Sequence, residues 1–369
     1  MSATDHAEDL GQQAGIWADS WGGFTPESEI RMWDFFGLRS YVLNHVPRQG
    51  VILEAGCGLG RYVFYLRRLG IEAIGLDFVT GALVSLEQWR RANALEGSFL
   101  AGNVTDLPFE DASLAGYISL GVVEHFKEGP AQALREAYRV LRPGGVAIVS
   151  TPSVSFSQEY FRAKSALKTC VKILIGYPRK QAPFFQHWYS PPRLRAFMNE
   201  AGFRVCLGLG GDLLYSCWEL GHRPRPNSWV TRLIWAVEKT PLARFGAQSL
   251  TISYKPAELM HCYLCGAKQV AREQAGAGLP VCSSCRARYP GQGKLGRLRP
   301  ADRMQVEPRH RGGARARCSF CGREFVLDHL FESHGFSRDV CSACLRRKEV
   351  NLLLSRTAVA PIWRPRGEV

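Results

Sequence analysis

Three glycines in five positions, Gly56, Gly58 and Gly60, separate an apolar run at residues 51–53 from a helical pattern at residues 61–69. Val51-Ile52-Leu53 is typical of a buried strand, and apolar residues recur at helical spacing after Arg61. Glycine permits a tight turn and lets a ligand lie against the main chain, where helix amides can contact it. An ordinary loop could also contain these glycines, and their spacing departs from the dinucleotide fingerprint Gly-x-Gly-x-x-Gly. The feature predicts strand, turn and helix, and by itself leaves the ligand open.

Strand and helix patterns alternate from residue 51 to residue 151. A second strand is predicted at Ile71–Leu76 and is followed by Asp77, a carboxylate placed where it could accept ribose hydroxyls. Further strands are predicted within SFLAGNVTDLPF (98–109), SLAGYISLGVVEHF (113–126) and LRPGGVAIVSTP (141–152), and SLTISYKP (249–256) is the predicted final strand. This alternation is typical of an α/β fold with a parallel sheet.

The motifs GCGLG (56–60), PF (108–109), EH (124–125) and LRPGG (141–145) resemble those of class I S-adenosylmethionine-dependent methyltransferases. The resemblance covers roughly residues 30–256. It implies a doubly wound, Rossmann-like sheet of seven strands, with the last strand inserted antiparallel, and S-adenosylmethionine as the cofactor. It does not specify the methyl acceptor.

The same resemblance assigns cofactor-binding roles to individual residues. Glu54 would help to hold the methionine end above a floor formed by Gly56, Gly58 and Gly60, and Asp77 would bind the ribose. Asn103 stands where relatives often have Asp, and its side-chain oxygen can still accept a hydrogen bond from adenine. Asn103 is therefore preferred to Asp106 as the adenine contact. The remaining assigned residues are Val104, beside Asn103, and Leu120 and Gly121 along the methionine arm.

Methyl transfer requires few catalytic side chains, because the sulfonium is already activated and alignment supplies much of the rate. A general base is needed if the acceptor must lose a proton. The candidates are His125, His187 and Tyr189. His125 belongs to the family's EH signature and could be a marker of the fold alone. His187 could line the acceptor pocket or simply cap a helix.

An insertion at residues 152–187 is too long for a tight connection. It carries Lys164, Lys168, Lys172, Arg179 and Lys180 among apolar residues. In the fold implied by the resemblance, this region often covers the acceptor pocket. The preferred interpretation is an amphipathic lid, and the alternative is peripheral contact of residues 153–186 with a membrane surface.

Eight of the twelve cysteines form four Cys-x-x-Cys pairs in the last 110 residues. The pairs are Cys262/Cys265, Cys282/Cys285, Cys318/Cys321 and Cys341/Cys344. Each pair can supply half of a tetrahedral thiolate site, so the spacing predicts two structural zinc ions. The two halves resemble zinc-ribbon or treble-clef modules and look like an internal repeat. Sequential pairing and cross-braced pairing of the cysteines both remain open.

These features divide the chain into segments. An N-terminal extension (1–29) precedes the methyltransferase domain (30–256), which contains the lid-like insertion. Zinc module 1 (257–290), a basic linker (291–315) and zinc module 2 (316–350) follow, and a tail (351–369) ends the chain. The start of the sequence is polar and has no apolar leader, and no run is long enough to cross a bilayer, so a cytoplasmic protein is expected.

Positive charge is concentrated beyond the predicted catalytic domain. From Lys255 onward there are 21 Lys or Arg residues and 10 Asp or Glu residues, a net charge of +11 out of +14 for the chain. Two function classes remain open. The preferred one is methylation of a small-molecule, sugar or lipid-like acceptor, with the zinc modules serving assembly or recruitment. The alternative is an RNA or protein methyltransferase whose basic zinc tail delivers the substrate. A catalytically inactive binder is disfavoured by the intact Gly-Asp-Gly motifs.

Overall fold

The computed structural model describes residues 15, 17, 26, 38–68, 70–93, 95–156, 158–160, 163–165, 184–220, 229–238, 240–276, 278–288, 315–317 and 324–326. Seven strands form one mixed sheet in the order β3-β2-β1-β4-β5-β7-β6. They are β1 Ile52–Ala55, β2 Ala73–Asp77, β3 Ser98–Ala101, β4 Leu114–Leu120, β5 Leu141–Pro152, β6 Arg204–Gly211 and β7 Gln248–Tyr254. The second strand begins two residues later than predicted and includes Asp77. Within this sheet β7 alone runs antiparallel to both neighbours, which confirms the predicted topology.

Helices connect the strands and cover both faces of the sheet. They are α1 Leu38–His45, α2 Arg61–Arg68, α3 Thr80–Ala92, α4 Ala131–Val140, α5 Pro191–Glu200, α6 Leu213–Glu219 and α7 Trp229–Glu238. Single 3-10 turns occur at Val123–His125 and Pro241–Phe245. No described helix combines the length and the apolar character needed to cross a bilayer.

Two hydrophobic cores lie on opposite faces of the sheet because successive strand residues point in opposite directions. Ile52 and Ile148 face the core that includes Tyr62, Val63 and Leu66 of α2. The neighbouring residues, Leu53 and Val149, face the core formed with α4 and α5. The central strands are thus covered on both sides, as expected for a doubly wound sheet.

Residues 257–288 form a small unit that shares the first of these cores. It contains a hairpin of β8 Leu259–His261 and β9 Lys268–Ala271, followed by α8 Arg272–Ala275 and α9 Ser283–Arg288. Tyr263, which is 1% exposed, belongs to the same cluster as Val42 of α1 and Tyr254 of β7. The boundary expected after Pro256 is therefore crossed by continuous hydrophobic packing.

This unit contacts the amino ends of the strands. The amide of Arg48, just before β1, donates to the carbonyl of Tyr263 at 3.0 Å. Near the start of β5, Gly144 lies so close to the hairpin that an added Cβ would come within 2.5 Å of the His261 carbonyl oxygen. The unit is therefore at the opposite edge of the sheet from the carboxyl ends of β1, β2 and β4.

Much of the remaining C-terminal prediction lies outside the described residues. Arg315–Arg317 and Glu324–Val326 form an antiparallel two-stranded sheet, here β10 and β11. Zinc module 2 is otherwise outside the described part, including Cys318, Cys321, Cys341 and Cys344. The same is true of the tail and of all but one residue of the linker. These assignments stay predictions.

Candidate active site

Asp77 ends β2 and connects the sheet to the glycine loop. Its Oδ2 accepts the amide of Gly58 at 2.8 Å, and its Oδ1 accepts the amide of Val79 at 3.0 Å. Burial raises the pKa of this carboxyl group, while the backbone amides oppose the rise. The two bonds fix the carboxylate in orientation, and a carboxylate has further lone pairs with which to accept ligand hydroxyls.

The glycine loop fits closely against its neighbours and requires glycine at two positions for steric reasons. Gly56 has φ +74°, and an added Cβ would lie 2.3 Å from Cγ2 of Val122. Gly60 has φ +71°, and its Cβ would lie 2.6 Å from the ring of Phe99. Left-handed backbone and close contact together exclude a side chain at both positions. Gly58 has φ +50° and supplies the amide that Asp77 accepts.

Glu54 caps helix α2. Its carboxylate accepts the amide of Val63 at 2.9 Å and that of Tyr62 at 3.4 Å, both in the first turn of the helix. Burial raises the pKa of Glu54 to about 8. The structure thus places Glu54 below the loop as a helix cap, and its predicted contact with the methionine end stays a prediction.

A cavity opens at the carboxyl ends of β1, β2 and β4. Six predicted site residues line it: Gly56, Asp77, Asn103, Val104, Gly121 and His125. Gly58, Gly60, Glu54, Leu120, His187 and Tyr189 are not among its lining residues. The sequence prediction missed five lining residues: Trp17, Phe78, Gly102, Val122 and Phe126. Phe78, Gly102, Val122 and Phe126 each lie one residue from a predicted site residue, and that adjacency is the signal that could have identified them.

Asn103 follows the end of β3 and lines the cavity. Its Oδ1 accepts the amide of Thr105 at 3.0 Å, so the side chain closes a local turn. The amide oxygen has a second lone pair, and its contact with adenine remains a prediction. Val104 is buried at the cavity wall, whereas Asp106 is exposed and does not line the cavity, in agreement with the preference for Asn103.

His125 is the one predicted catalytic residue that lines the cavity. Its Nδ1 lies 2.9 Å from the carbonyl oxygen of Phe185. Because a carbonyl can only accept a hydrogen bond, this contact fixes the proton on Nδ1. Burial lowers the pKa of His125, so the ring is neutral near pH 7 and the basic lone pair is on Nε2. Trp17 and Phe185 pack edge-on or tilted around it, with Trp17 centred 4.9 Å from the His125 ring.

The other two catalytic candidates do not line the cavity. The amide of His187 donates to the carbonyl of Glu124 at 2.9 Å, and its Nε2 lies 3.1 Å from the carbonyl oxygen of Lys127. Tyr189 stacks on His187 at 5.5 Å between ring centres and is buried, and burial raises the pKa of its phenol to about 12. The catalytic roles of His187 and Tyr189 stay predictions.

Glu124 was not singled out by the sequence, although it adjoins His125. It is 1% exposed, and burial raises its pKa to about 8. Its Oε1 lies 3.8 Å from Nε2 of His125, and among the described residues Oε2 has no hydrogen-bond partner. A buried carboxyl therefore lies beside Nε2 of the histidine that lines the cavity.

A second cluster of functional side chains lies in residues 257–288. The Sγ atoms of Cys262, Cys265, Cys282 and Cys285 are all within 4.8 Å of one another. Cys265 and Cys282 are 3.8 Å apart, close to the roughly 3.8 Å edge of a zinc tetrahedron with 2.3 Å Zn–S bonds. The amides of Cys282 and Cys285 donate to thiol sulfurs of the quartet at 3.4 and 3.5 Å. The described residues thus bring together the first two predicted Cys-x-x-Cys pairs.

Comparison with known proteins gives one family match, a methyltransferase domain at residues 53–149. A probable S-adenosylmethionine-dependent methyltransferase of Mycolicibacterium smegmatis is 37% identical over 155 residues, 42% of this chain and 52% of that protein. Malonyl-[acyl-carrier protein] O-methyltransferase of Serratia marcescens is 36% identical over 108 residues, 29% of this chain and 40% of that protein. Human probable tRNA methyltransferase 9B is 29% identical over 187 residues, 46% of this chain and 37% of that protein.

The match and the relatives agree with the site geometry. Residues 53–149 match a methyltransferase domain, and the first of these relatives is named as a probable S-adenosylmethionine-dependent methyltransferase. The chain spans about half or less of the length of these three relatives. The matched segment includes the glycine loop, Asp77, Asn103 and His125, and it ends within β5.

Proposed function

We propose that this chain, whose residues 53–149 form a methyltransferase domain, transfers the methyl group of S-adenosylmethionine to a small-molecule, sugar or lipid-like acceptor. The observation that carries the proposal is Asp77. A buried carboxylate fixed by two backbone amides lines a cavity whose floor excludes side chains. That combination suits a ribose laid across the strand ends, close to the main chain.

The residues present fit the cofactor. Asp77 would accept the ribose hydroxyls, and Asn103 with Val104 would hold the adenine between polar and apolar walls. Phe78, Val122 and Phe126 add apolar lining suited to a flat ring. Gly56 and Gly121 would leave room for the methionine arm along the backbone. When bound, the cofactor supplies an activated methyl group on a sulfonium.

His125 is suited to take a proton from the acceptor. Its neutral form, protonated on Nδ1, has a proton-accepting Nε2, and the ring lines the cavity. Trp17 and Phe185 flank it and narrow the approach to the ring. This geometry favours an acceptor that is small or presents a slender end, with an O–H or N–H group that is deprotonated as the methyl group moves.

A labelled-methyl assay tests the proposal. Cell extract is incubated with the protein and methyl-labelled S-adenosylmethionine, then separated into metabolite, lipid, RNA and protein fractions. We expect label in the metabolite or lipid fraction, and its loss in an Asp77→Asn variant. Label that appears in RNA and is removed by nuclease would contradict the small-molecule assignment.

We also propose that the first cysteine quartet holds a structural zinc ion. The separations of the sulfurs match a tetrahedral site, and the amide-to-sulfur bonds support thiolates as they do in zinc knuckles. Tyr263, Val270 and Leu279 join this site to the core beneath the sheet. Zinc here would stabilise the folded unit and, from its place at the amino edge, take no part in methyl transfer. The second zinc ion, with Cys318, Cys321, Cys341 and Cys344, is proposed from the sequence alone.

The second candidate function is methylation of RNA or protein delivered by the C-terminal region. Its support is the net charge of +11 from Lys255 onward, which two zinc sites of four thiolates each would reduce to about +7. One relative is named as a probable tRNA methyltransferase. If RNA is the partner, binding should weaken steeply as salt is added, because phosphate contacts release counterions. A protein substrate would leave the label in the protein fraction.

A further inference from the structure

Exposed apolar side chains are concentrated at one edge of the described structure. Twelve large apolar residues are exposed in the described part of the chain, and ten of them lie in residues 154–160, 184–188 and 229–245. We call the exposed apolar side chains of these three segments the carboxyl-edge patch. Trp229 is 76% exposed, and Leu233 and Tyr160 are 55% and 54% exposed. Concentrated apolar exposure of this kind marks an interaction surface.

The three segments are held together at the carboxyl end of β5 and the adjoining amino end of β7. The amide of Ser153 donates to the carbonyl of Ala247 at 2.7 Å, and that of Tyr189 donates to the carbonyl of Pro152 at 3.1 Å. Helix α7, which carries Trp229 and Leu233, packs against the 3-10 turn at Pro241–Phe245. The patch therefore lies at the same edge of the sheet as the opening of the cavity.

Positive charge accompanies the patch. The Lys164 ammonium lies 5.9 Å from the centre of the Tyr160 ring, and the Arg244 guanidinium lies 4.8 Å from that of Phe245. The sequence that joins the first two segments, residues 161–183, has six Lys or Arg residues and no Asp or Glu. Residues 221–228, before the third segment, have two Arg and no acid. Glu159 and Glu238 are the acidic residues within the three segments.

We propose that the carboxyl-edge patch docks onto an anionic membrane surface. Trp, Tyr and Phe side chains beside Lys and Arg are the composition of membrane-interface surfaces, where rings enter the headgroup layer and cations meet anionic lipids. Protein–protein interfaces are instead depleted of Lys. The alternation of exposed aromatic segments with acid-free cationic sequence therefore favours a lipid surface over a protein partner.

Docking in this orientation would turn the cavity toward the bilayer. Phe185 belongs to the patch and packs against His125, which lines the cavity. A substrate that lies partly in the membrane could then reach His125 without leaving the headgroup layer. Membrane docking does not depend on the proposed methyl transfer, since it rests on the outer surface alone.

Vesicle co-sedimentation of the full chain tests the proposal. The probes are phosphatidylcholine vesicles and vesicles that also contain phosphatidylglycerol. The test variant is Trp229→Ser/Leu233→Ser. The matched control is Val84→Ser/Leu259→Ser, which replaces exposed apolar residues outside the patch. A second pair compares Lys164→Glu/Arg244→Glu with Arg135→Glu/Lys268→Glu, exposed cations of other surfaces.

We expect the wild type and both control variants to bind the anionic vesicles, and to bind neutral vesicles at least about tenfold more weakly. Each patch variant should lose about tenfold or more of the anionic-vesicle binding, while S-adenosylmethionine affinity, measured by titration calorimetry, stays unchanged. Absence of binding to anionic vesicles, or equal binding by patch and control variants, would overturn the proposal. A patch variant that changes only the oligomeric state would identify the patch as a protein interface instead.

Discussion

The backbone amide of Gly58 donates to Oδ2 of Asp77 at 2.8 Å, and this bond joins the loop after β1 to the end of β2. The bond holds the glycine loop and Asp77, the candidate ribose-binding residue, in a fixed relative position. A ligand that contacts one of them therefore meets a position fixed by the other, which is the pre-organisation that binding sites need.

Replacing Asp77 should weaken cofactor binding. Asp77→Ala removes a charge-assisted acceptor, so the affinity for S-adenosylmethionine should fall by about 1.5–3 kcal/mol, roughly 10- to 150-fold. Titration calorimetry gives the affinity, and thermal unfolding checks that the variant folds. Asp106→Ala is the matched control, because Asp106 is exposed and does not line the cavity. Equal affinity in the two variants would refute the ribose assignment.

A methyl group at Gly56 should disrupt the loop through contact as well as through backbone strain. Both Gly56 and Gly70 have positive φ, but an added Cβ at Gly70 meets nothing within 4 Å. For Gly70→Ala the free energy of unfolding should therefore fall by only about 1–2 kcal/mol, the cost of left-handed backbone for a residue with a side chain. For Gly56→Ala the free energy of unfolding should fall by roughly 1–3 kcal/mol more than this, because of the clash with Val122. Urea unfolding measures both, and adding Val122→Ala to Gly56→Ala should recover part of the difference.

The pH dependence of stability should reveal the buried carboxyl of Glu124. Its pKa is raised to about 8 in the folded state against 4.5 for an ordinary glutamate. The contribution of Glu124 to the free energy of unfolding is therefore complete below pH 4.5 and is lost as the pH rises toward 8. Over that range the carboxyl of Glu124 ionises in the unfolded chain but stays protonated in the folded one. The glutamine side chain of Glu124→Gln cannot ionise. Between pH 6 and pH 8 we therefore expect the free energy of unfolding of this variant to fall by at least about 1 kcal/mol less than that of the wild type.

Urea midpoints at the two pH values measure this effect. Glu128→Gln, at an exposed neighbouring position, serves as the control and should retain the wild-type pH dependence. If Glu124→Gln and Glu128→Gln lose stability in parallel with the wild type, Glu124 is already ionised in the folded protein at pH 6, and the raised pKa is wrong.

Zinc content and stability should change together. Elemental analysis should find about two zinc ions per chain, one of them at Cys262, Cys265, Cys282 and Cys285. Cys285→Ser should remove one ion and lower the melting temperature of the methyltransferase domain as well, because the quartet shares its hydrophobic core. Cys206→Ser, at a thiol outside the quartet, should keep both ions. A loss of zinc with unchanged melting of the domain would show that the two units fold independently.

Local signals in the sequence predicted six of the seven strands: apolar runs, bounding glycines and, in β7, strict alternation. The number seven was implied by the family resemblance, and local signals did not locate β6, Arg204–Gly211. The resemblance to the methyltransferase family also singled out Asp77, Asn103 and His125 as site residues, and all three line the cavity. Glu54 shows the limit. Its position in the motif implied a ligand contact, which stays a prediction, whereas its role as the cap of α2 was not predicted and depends on the three-dimensional distance to the amides of α2.

Long-range packing accounts for the other differences. Trp17 reaches the cavity from far along the chain, and no local pattern marks it. The boundary after Pro256 follows from the end of β7 and the start of the cysteine pattern. Tyr263 and Met260 nevertheless enter the core under the sheet, and burial against distant residues such as Val42 has no signature in nearby sequence.

The first cysteine quartet lies against the amino ends of β1 and β5, whereas the cavity opens at the carboxyl ends of the strands. If the quartet holds the proposed zinc ion, metal starvation or oxidation of these thiols should shorten the lifetime of the folded molecule and leave the rate of the proposed methyl transfer unchanged. In a cell short of zinc, the proposed activity per folded copy should then stay the same, and the total activity should fall in proportion to the number of copies that remain folded.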